Sequence, residues 1–205
     1  MKKRNLTTRN RQKPTSQAAM GEVRIIGGDW RGRKLPVLMQ EGLRPTSDRV
    51  RETLFNWLQF EVATARCLDL FSGSGALGLE ALSRGAKSCW FAELAPKVAV
   101  QLEQNLRTLD ALERAQVYQG DTLKWLAQPA AEPFEIVFID PPFHQGLVQP
   151  VIDALFAQGW INQNSWLYIE QEKSLESPQL PEGWQWHREK TTSQVRYGLV
   201  HCVKS

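Results

Sequence analysis

Beyond residue 46 the chain alternates short apolar runs with longer amphipathic ones. The strand-like runs cover residues 67–71, 88–93, 116–119, 134–140 and 166–170. Helical stretches separate them at 75–83, 96–109, 122–128 and 147–158, and in the second Val98, Leu102, Leu106 and Leu109 share one face. A further helix is predicted to open at Arg44-Pro45-Thr46-Ser47-Asp48, because Val50, Leu54, Trp57 and Leu58 recur at i, i+4, i+7 and i+8. Strands alternating with helices through short connections predict an α/β fold, a mostly parallel sheet covered on both faces. The last two runs, 184–189 and 195–203, have no helix between them and predict an antiparallel hairpin that closes the sheet.

The amino-terminal quarter has a different character. Residues 1–20 carry almost no large apolar side chains, which predicts a disordered basic tail. Val23-Arg24-Ile25-Ile26-Gly27-Gly28 and Trp30-Arg31-Gly32-Arg33-Lys34-Leu35 then predict a glycine-punctuated β-ribbon with its arginines facing water. The expected organisation is a tail over 1–20, a basic ribbon or arm over 21–45 and an α/β domain over 46–205. Charge sharpens this division. Residues 1–51 hold 13 Lys+Arg against 4 Asp+Glu, a net of +9, and the remainder hold 12 against 18, a net of −6.

That asymmetry predicts a polyanion-binding arm beside a neutral-to-acidic body; for the tail alone, simple solubilisation is the plainer alternative. The candidate nucleic-acid contacts are Arg24, Trp30, Arg31, Arg33, Lys34, Arg44 and Arg49. Arg24, Arg31, Arg33 and Lys34 have no acidic partner at helical or strand spacing. Trp30, flanked by Arg31 and Arg33, is the tryptophan suited to base stacking, whereas Trp57, Trp90, Trp125, Trp160 and Trp166 sit in core-like patterns.

Other residue types exclude more than they suggest. Cys67, Cys89 and Cys202 lie far apart, so neither a zinc knuckle nor a disulfide framework is expected, and no metal site is. No run approaches the roughly 18 apolar residues of a membrane span, and a soluble, cytoplasmic protein is expected. His187 and His201 make no metal or triad spacing, and His144 reads as an exposed loop residue.

The strongest local signal is Leu68-Asp69-Leu70-Phe71-Ser72-Gly73-Ser74-Gly75-Ala76-Leu77-Gly78, a strand entering a glycine turn and then a helix. Gly73, Gly75 and Gly78 satisfy G-x-G-x-x-G, and Glu93 follows Gly73 by 20 residues, where a carboxylate can accept two ribose hydroxyls. Alone, this fits a dinucleotide enzyme equally well. Asp69 separates the readings: it would repel a pyrophosphate but attract the ammonium and sulfonium of S-adenosylmethionine, although it could instead cap the turn. Asp121, after the third strand, could accept an adenine amine or cap the helix that follows.

Asp140-Pro141-Pro142-Phe143 decides between them. It ends the fourth strand, and in an open α/β sheet that position faces the ligand crevice. An aromatic amine is a poor nucleophile because its lone pair is delocalised. The Asp140 carboxylate and the Pro141 carbonyl can accept its two protons and favour a pyramidal nitrogen, the prolines hold that carbonyl rigidly, and Phe143 offers a face on which to stack the base.

With these residues in place, the chain resembles the class I methyltransferases of exocyclic amines, whose signature is (Asn/Asp/Ser)-Pro-Pro-(Tyr/Phe/Trp). Arg24-Ile25-Ile26-Gly27-Gly28, Trp30-Arg31-Gly32-Arg33-Lys34-Leu35, Arg44-Pro45-Thr46, Asp48-Arg49-Val50-Arg51-Glu52 and Leu54-Phe55-Asn56 resemble, more closely, the RsmD family of bacterial 16S ribosomal RNA guanine-N2 methyltransferases. The resemblance spans about residues 23–200. It implies a class I methyltransferase fold, S-adenosylmethionine as cofactor, and methylation of one guanine amine in 16S ribosomal RNA, in the small subunit or an assembly intermediate. The expected cofactor residues are Asp69, Phe71, Gly73, Gly75, Glu93 and Asp121, with Asp140, Pro141, Pro142 and Phe143 catalytic and the protein acting as a monomer. The rival readings are a DNA adenine-N6 methyltransferase, for which 205 residues leave no room for a target-recognition insertion, and a non-catalytic RNA-binding assembly factor. An NAD-dependent oxidoreductase would leave the Asp-Pro-Pro-Phe corner and the arm unexplained.

Overall fold

The computed structural model describes residues 20–38 and 46–203. The expectation of a disordered tail over 1–20 therefore lies outside the described residues, except at Met20, which is not tail but the first residue of strand β1 (Met20–Arg24).

The alternating apolar runs form one seven-stranded sheet. Its strands are β3 (Arg66–Asp69), β4 (Ser88–Glu93), β5 (Ala115–Gln119), β6 (Ile136–Ile139), β7 (Trp166–Glu172), β8 (Trp184–Thr191) and β9 (Val195–Cys202), in the order β5-β4-β3-β6-β7-β9-β8. Strands β3 to β7 run parallel, while β9 is antiparallel to both β7 and β8, so the predicted terminal hairpin is present. The helices α2 (Ala76–Ser83), α3 (Pro96–Thr108), α4 (Thr122–Leu126) and α5 (Val148–Ala157) connect the parallel strands. Strand alternation divides the interior in two: Ile136 and Phe138 join Leu54, Phe55, Leu79 and Leu102 on one face, and Val137 and Ile139 join Leu68, Leu70, Ile152 and Leu155 on the other. The helix α2 is buried along its whole length. Its close approach to β4 requires Gly78, since a Cβ there would lie 2.2 Å from the Phe91 ring and 2.7 Å from Cys89 Sγ.

The basic ribbon is real but is not a free arm. Strand β1 pairs antiparallel with β2 (Lys34–Leu38), and residues 25–33 form the connection rather than the strands predicted for part of them. Val23, Ile25, Leu35 and Val37 are buried in the same core as Leu54 and Leu79, each contributing about 1.5–3 kcal/mol. Ser83 Oγ donates to the Gly27 carbonyl (2.6 Å) and accepts from Trp30 N (2.9 Å), while Asn105 Nδ2 of α3 donates to the Pro36 carbonyl (2.9 Å). Gly28 has φ +74°, and a Cβ there would sit 1.9 Å from the Ser83 carbonyl oxygen. The sequence reading as an appendage misses this docking.

Helix α1 (Asp48–Trp57) starts at the Ser47 cap, whose hydroxyl accepts from Val50 N, and buries Val50, Leu54 and Phe55. It also buries Arg51, 2% exposed, whose guanidinium lies 3.6 Å from the fully buried Glu80 of α2. Glu80 in turn accepts from Ile26 N (2.9 Å) and Arg84 Nε (2.8 Å), so one buried carboxylate ties the ribbon, α1 and α2 together.

Candidate active site

Each parallel strand ends at the same edge, and an acid ends each of the five or follows within two residues, the last being Glu172 of β7. Asp69 pairs with Phe91 two residues before Glu93, Glu93 pairs with Gln119 two residues before Asp121, and Asp69 pairs with Phe138 two residues before Asp140. Neighbouring strands lie about 4.8 Å apart. Asp121, Glu93, Asp69 and Asp140 therefore stand in a row along β5, β4, β3 and β6. Between β3 and β6 the strand order reverses, since β3, β4 and β5 progress one way and β6 and β7 the other. The Asp69 turn and the Asp140 corner flank this switch point, where open α/β sheets bind ligands.

The carboxylates near the glycine turn organise its backbone. Asp69, 2% exposed, accepts from Gly78 N at 3.0 Å, so the capping geometry that the sequence allowed is the one observed. Burial, with Glu93 adding to it, pushes its carboxyl up to about 7 against the bonds from Gly78 and Phe71. Glu93 accepts from Gly73 N (2.9 Å) and Ala95 N (2.7 Å), binding the turn to the end of β4. Gly73 and Gly75 have φ of +50° and +76°, which carry the chain round without a Cβ penalty. Phe71 is half-buried against the second core. Asp121 is exposed, and its Oδ1 accepts from Lys124 N (2.9 Å) as the cap of α4.

At the Asp140 corner, Pro141 is buried and Pro142 and Phe143 are half-buried. Asp140 Oδ2 accepts from the Thr46 hydroxyl at 2.7 Å. Burial and the neighbouring Glu170 raise the Asp140 carboxyl well above the usual range, and Thr46 opposes them. His144 is exposed at φ +63°, with its N–H donating to Glu172.

Two residues at this edge escape the sequence reading. Glu170 lies near the end of β7, where it accepts from the Tyr168 hydroxyl at 2.6 Å and faces Asp140. Its signal is the one that marked Asp69 and Glu93, an acid closing an apolar strand. Thr46 has no such signal.

Sequence and structure relatives bear on this arrangement. The family described as Conserved hypothetical protein 95 matches residues 23–201. Over 184 residues the chain is 52% identical to Ribosomal RNA small subunit methyltransferase D of Haemophilus influenzae, spanning 88% of this chain and 94% of that protein. The chain belongs to this family. The Escherichia coli K12 protein of the same name is 49% identical over 91% of this chain and 93% of its own length. The solved structure of yhhF from Escherichia coli, described as a candidate methyltransferase, superposes with a TM-score of 0.82 at 47% identity, covering 89% of this chain and 98% of that one. The fold is that of the class I S-adenosylmethionine-dependent methyltransferases.

Of the nucleic-acid contacts named from the sequence, Arg24 and Lys34 are cross-strand partners in the ribbon. Arg24, Arg31, Arg33, Lys34 and Arg49 are exposed, and Arg44 lies outside the described residues. Two of them have acidic partners at longer range: Arg24 pairs with Asp48 (3.0 Å) and Lys34 with Glu22 (3.1 Å), both on the surface. These pairs arise from folding, across 24 and 12 residues, and no helical or strand spacing announces them. Arg33 donates to the Thr108 carbonyl (3.0 Å). Trp30 is half-buried against the core, with the Arg114 guanidinium 5.5 Å from its ring centre. Trp57, Trp90, Trp125, Trp160 and Trp166 all pack against other rings.

Proposed function

We propose that this protein transfers a methyl group from S-adenosylmethionine to the exocyclic N2 amine of a guanine in the 16S ribosomal RNA of the small subunit. The observation that carries this reading is the position of Asp140-Pro141-Pro142-Phe143 at the carboxyl end of β6, adjacent to β3 and its glycine turn. Family membership supports a ribosomal RNA substrate, and the corner supports an amine as the acceptor.

The donor and acceptor chemistry of the edge fits the cofactor. A cationic sulfonium and ammonium, two ribose hydroxyls and an adenine amine match the carboxylates of Asp69, Glu93 and Asp121 on three successive strand ends. Asp69 acts here through its buried negative charge and by holding the turn, since its Oδ2 already accepts from Gly78 N. When bound, S-adenosylmethionine supplies a methyl group on an activated sulfonium leaving group. What remains for the protein is orientation, which can itself lower a barrier by several kcal/mol.

Asp140 and the Pro141 carbonyl accept the amine protons and turn the nitrogen lone pair towards the methyl group. The proton that the product amine must shed passes to Asp140 or to solvent. Phe143 stacks on the base, at about 1–3 kcal/mol, after the guanine has left its own stack. Arg24, Arg31, Arg33, Lys34 and Arg49 supply phosphate contacts, and the protein acts as a monomer.

The test is incubation with labelled S-adenosylmethionine and separate pools of small ribosomal subunits, free 16S RNA and DNA, followed by nucleoside analysis. N2-methylguanosine in either ribosomal pool is expected. N6-methyladenine in the DNA pool, or no transfer to any pool, overturns the reading.

A further inference from the structure

The hydrogen bond between Thr46 and Asp140 joins positions 94 residues apart at the centre of the proposed chemistry. Thr46 directly precedes Ser47, the cap of α1, and that helix is pinned by the fully buried Leu54 and Phe55. The hydroxyl is thus presented from a packed helix start. The terminal torsion of an aspartate is broad, so a carboxylate without a partner samples many orientations. A donor on Oδ2 restricts that freedom while leaving Oδ1 and the second lone pair of Oδ2 as acceptors.

We propose that Thr46 is a positioning residue for methyl transfer, its hydroxyl setting the plane of the Asp140 carboxylate that receives the target amine. This rests on the function proposed above, in which Asp140 aligns that amine. The groups facing Asp140 strengthen the case. Glu170 of β7, with the Tyr168 hydroxyl bound to it, and Asp69 of β3 are both acids, and Asp140 is partly buried among them. Burial comes first and Glu170 second in raising the Asp140 carboxyl, with Asp69 adding to them, while the Thr46 bond acts the other way. Of these groups only Thr46 favours the charged carboxylate, the form that accepts two hydrogen bonds.

The experiment compares the wild-type chain with Thr46→Val, Thr46→Ala and Thr46→Ser on small ribosomal subunits. It reads kcat, KM for each substrate, the pH dependence of kcat, calorimetric affinity for S-adenosylmethionine and the melting temperature. Val and Ala are expected to lower kcat by roughly 10- to 100-fold, the loss of one hydrogen bond to a charged group, with cofactor affinity unchanged. The acidic limb of their pH profile should move to higher pH, because the proton on Asp140 is then held more tightly. Ser, which keeps the hydroxyl, should restore both kcat and the limb.

Wild-type kcat in the Val and Ala variants overturns the inference, as does a Ser variant equally impaired, which would make the role one of packing. A fall in kcat that tracks the melting temperature without any shift of the limb overturns it as well. If the wild-type chain itself methylates no ribosomal RNA, the proposed function fails and this inference fails with it. An active wild type separates the two.

Discussion

The buried carboxylate of Asp69 accepts a hydrogen bond from Gly78 N at 3.0 Å, so the strand that enters the glycine turn and the helix that leaves it are joined by one acid. Burial raises this carboxyl from 3.8 to about 7. An acid whose folded pKa is raised contributes stability below its unfolded value, and that contribution is lost as pH rises through about 7. A bound cation reverses the balance by favouring the carboxylate. The affinity for S-adenosylmethionine should therefore climb by about tenfold from pH 6 to pH 8, with proton release near neutrality. Calorimetry in buffers of different ionisation enthalpy measures both, and Asp69→Asn should flatten the dependence. An affinity independent of pH in the wild type would remove Asp69 from any interaction with the cofactor's charge.

Asp140→Ala should abolish turnover and leave cofactor affinity nearly intact, because the proposed role of this residue is to align the amine. Glu93→Ala should weaken cofactor binding by about 1–3 kcal/mol. It should also lower the melting temperature, since Gly73 N and Ala95 N lose their acceptor. Calorimetry and thermal melts on the two variants check the contrast, and equal loss of cofactor binding in both would place Asp140 among the cofactor contacts.

Removing Glu80 takes the buried counter-charge from the Arg51 guanidinium, 2% exposed, and leaves it the half-exposed Asp48 at 2.6 Å. Glu80→Ala should cost about 3–5 kcal/mol in urea unfolding, a large share of the stability of a single domain. Since Ile26 N also loses its acceptor, limited proteolysis should cut the ribbon more readily in this variant. A change below about 1 kcal/mol would show that the bonds Arg51 already makes to Asp48 (2.6 Å) and the Arg24 carbonyl (2.9 Å) suffice to hold its charge.

Changing Arg31, Arg33 and Lys34 together to Ala should leave the melting temperature nearly unchanged. Among the described residues their folded-state polar contacts are the exposed Lys34–Glu22 pair and the bond from Arg33 to the Thr108 carbonyl, and exposed pairs contribute about 0–1 kcal/mol. Affinity for the ribosomal substrate should fall, and the slope of log K against log salt should shrink by about 2, as lost phosphate contacts release fewer counterions. An unchanged slope with unchanged affinity would end the RNA-binding role of the ribbon.

The amino-acid sequence by itself determined the α/β alternation, the terminal hairpin and the acids at the ends of β3, β4 and β6. These are local properties: periodicity within a run, a glycine turn, and the residue that closes an apolar strand are legible over ten or twenty positions. The Pro-Pro corner after Asp140 is equally local. Tertiary structure alone decided how the ribbon lies, because the burial of Val23, Ile25, Leu35 and Val37 is completed by α2 and α3, far along the chain. The Arg51–Glu80 pair, the approach of Glu170 to Asp140 and the bond from Thr46 to Asp140 were decided there too. Such contacts close loops of tens of residues, and a loop imposes no spacing rule on its ends, so their partners become visible only when packing brings them together.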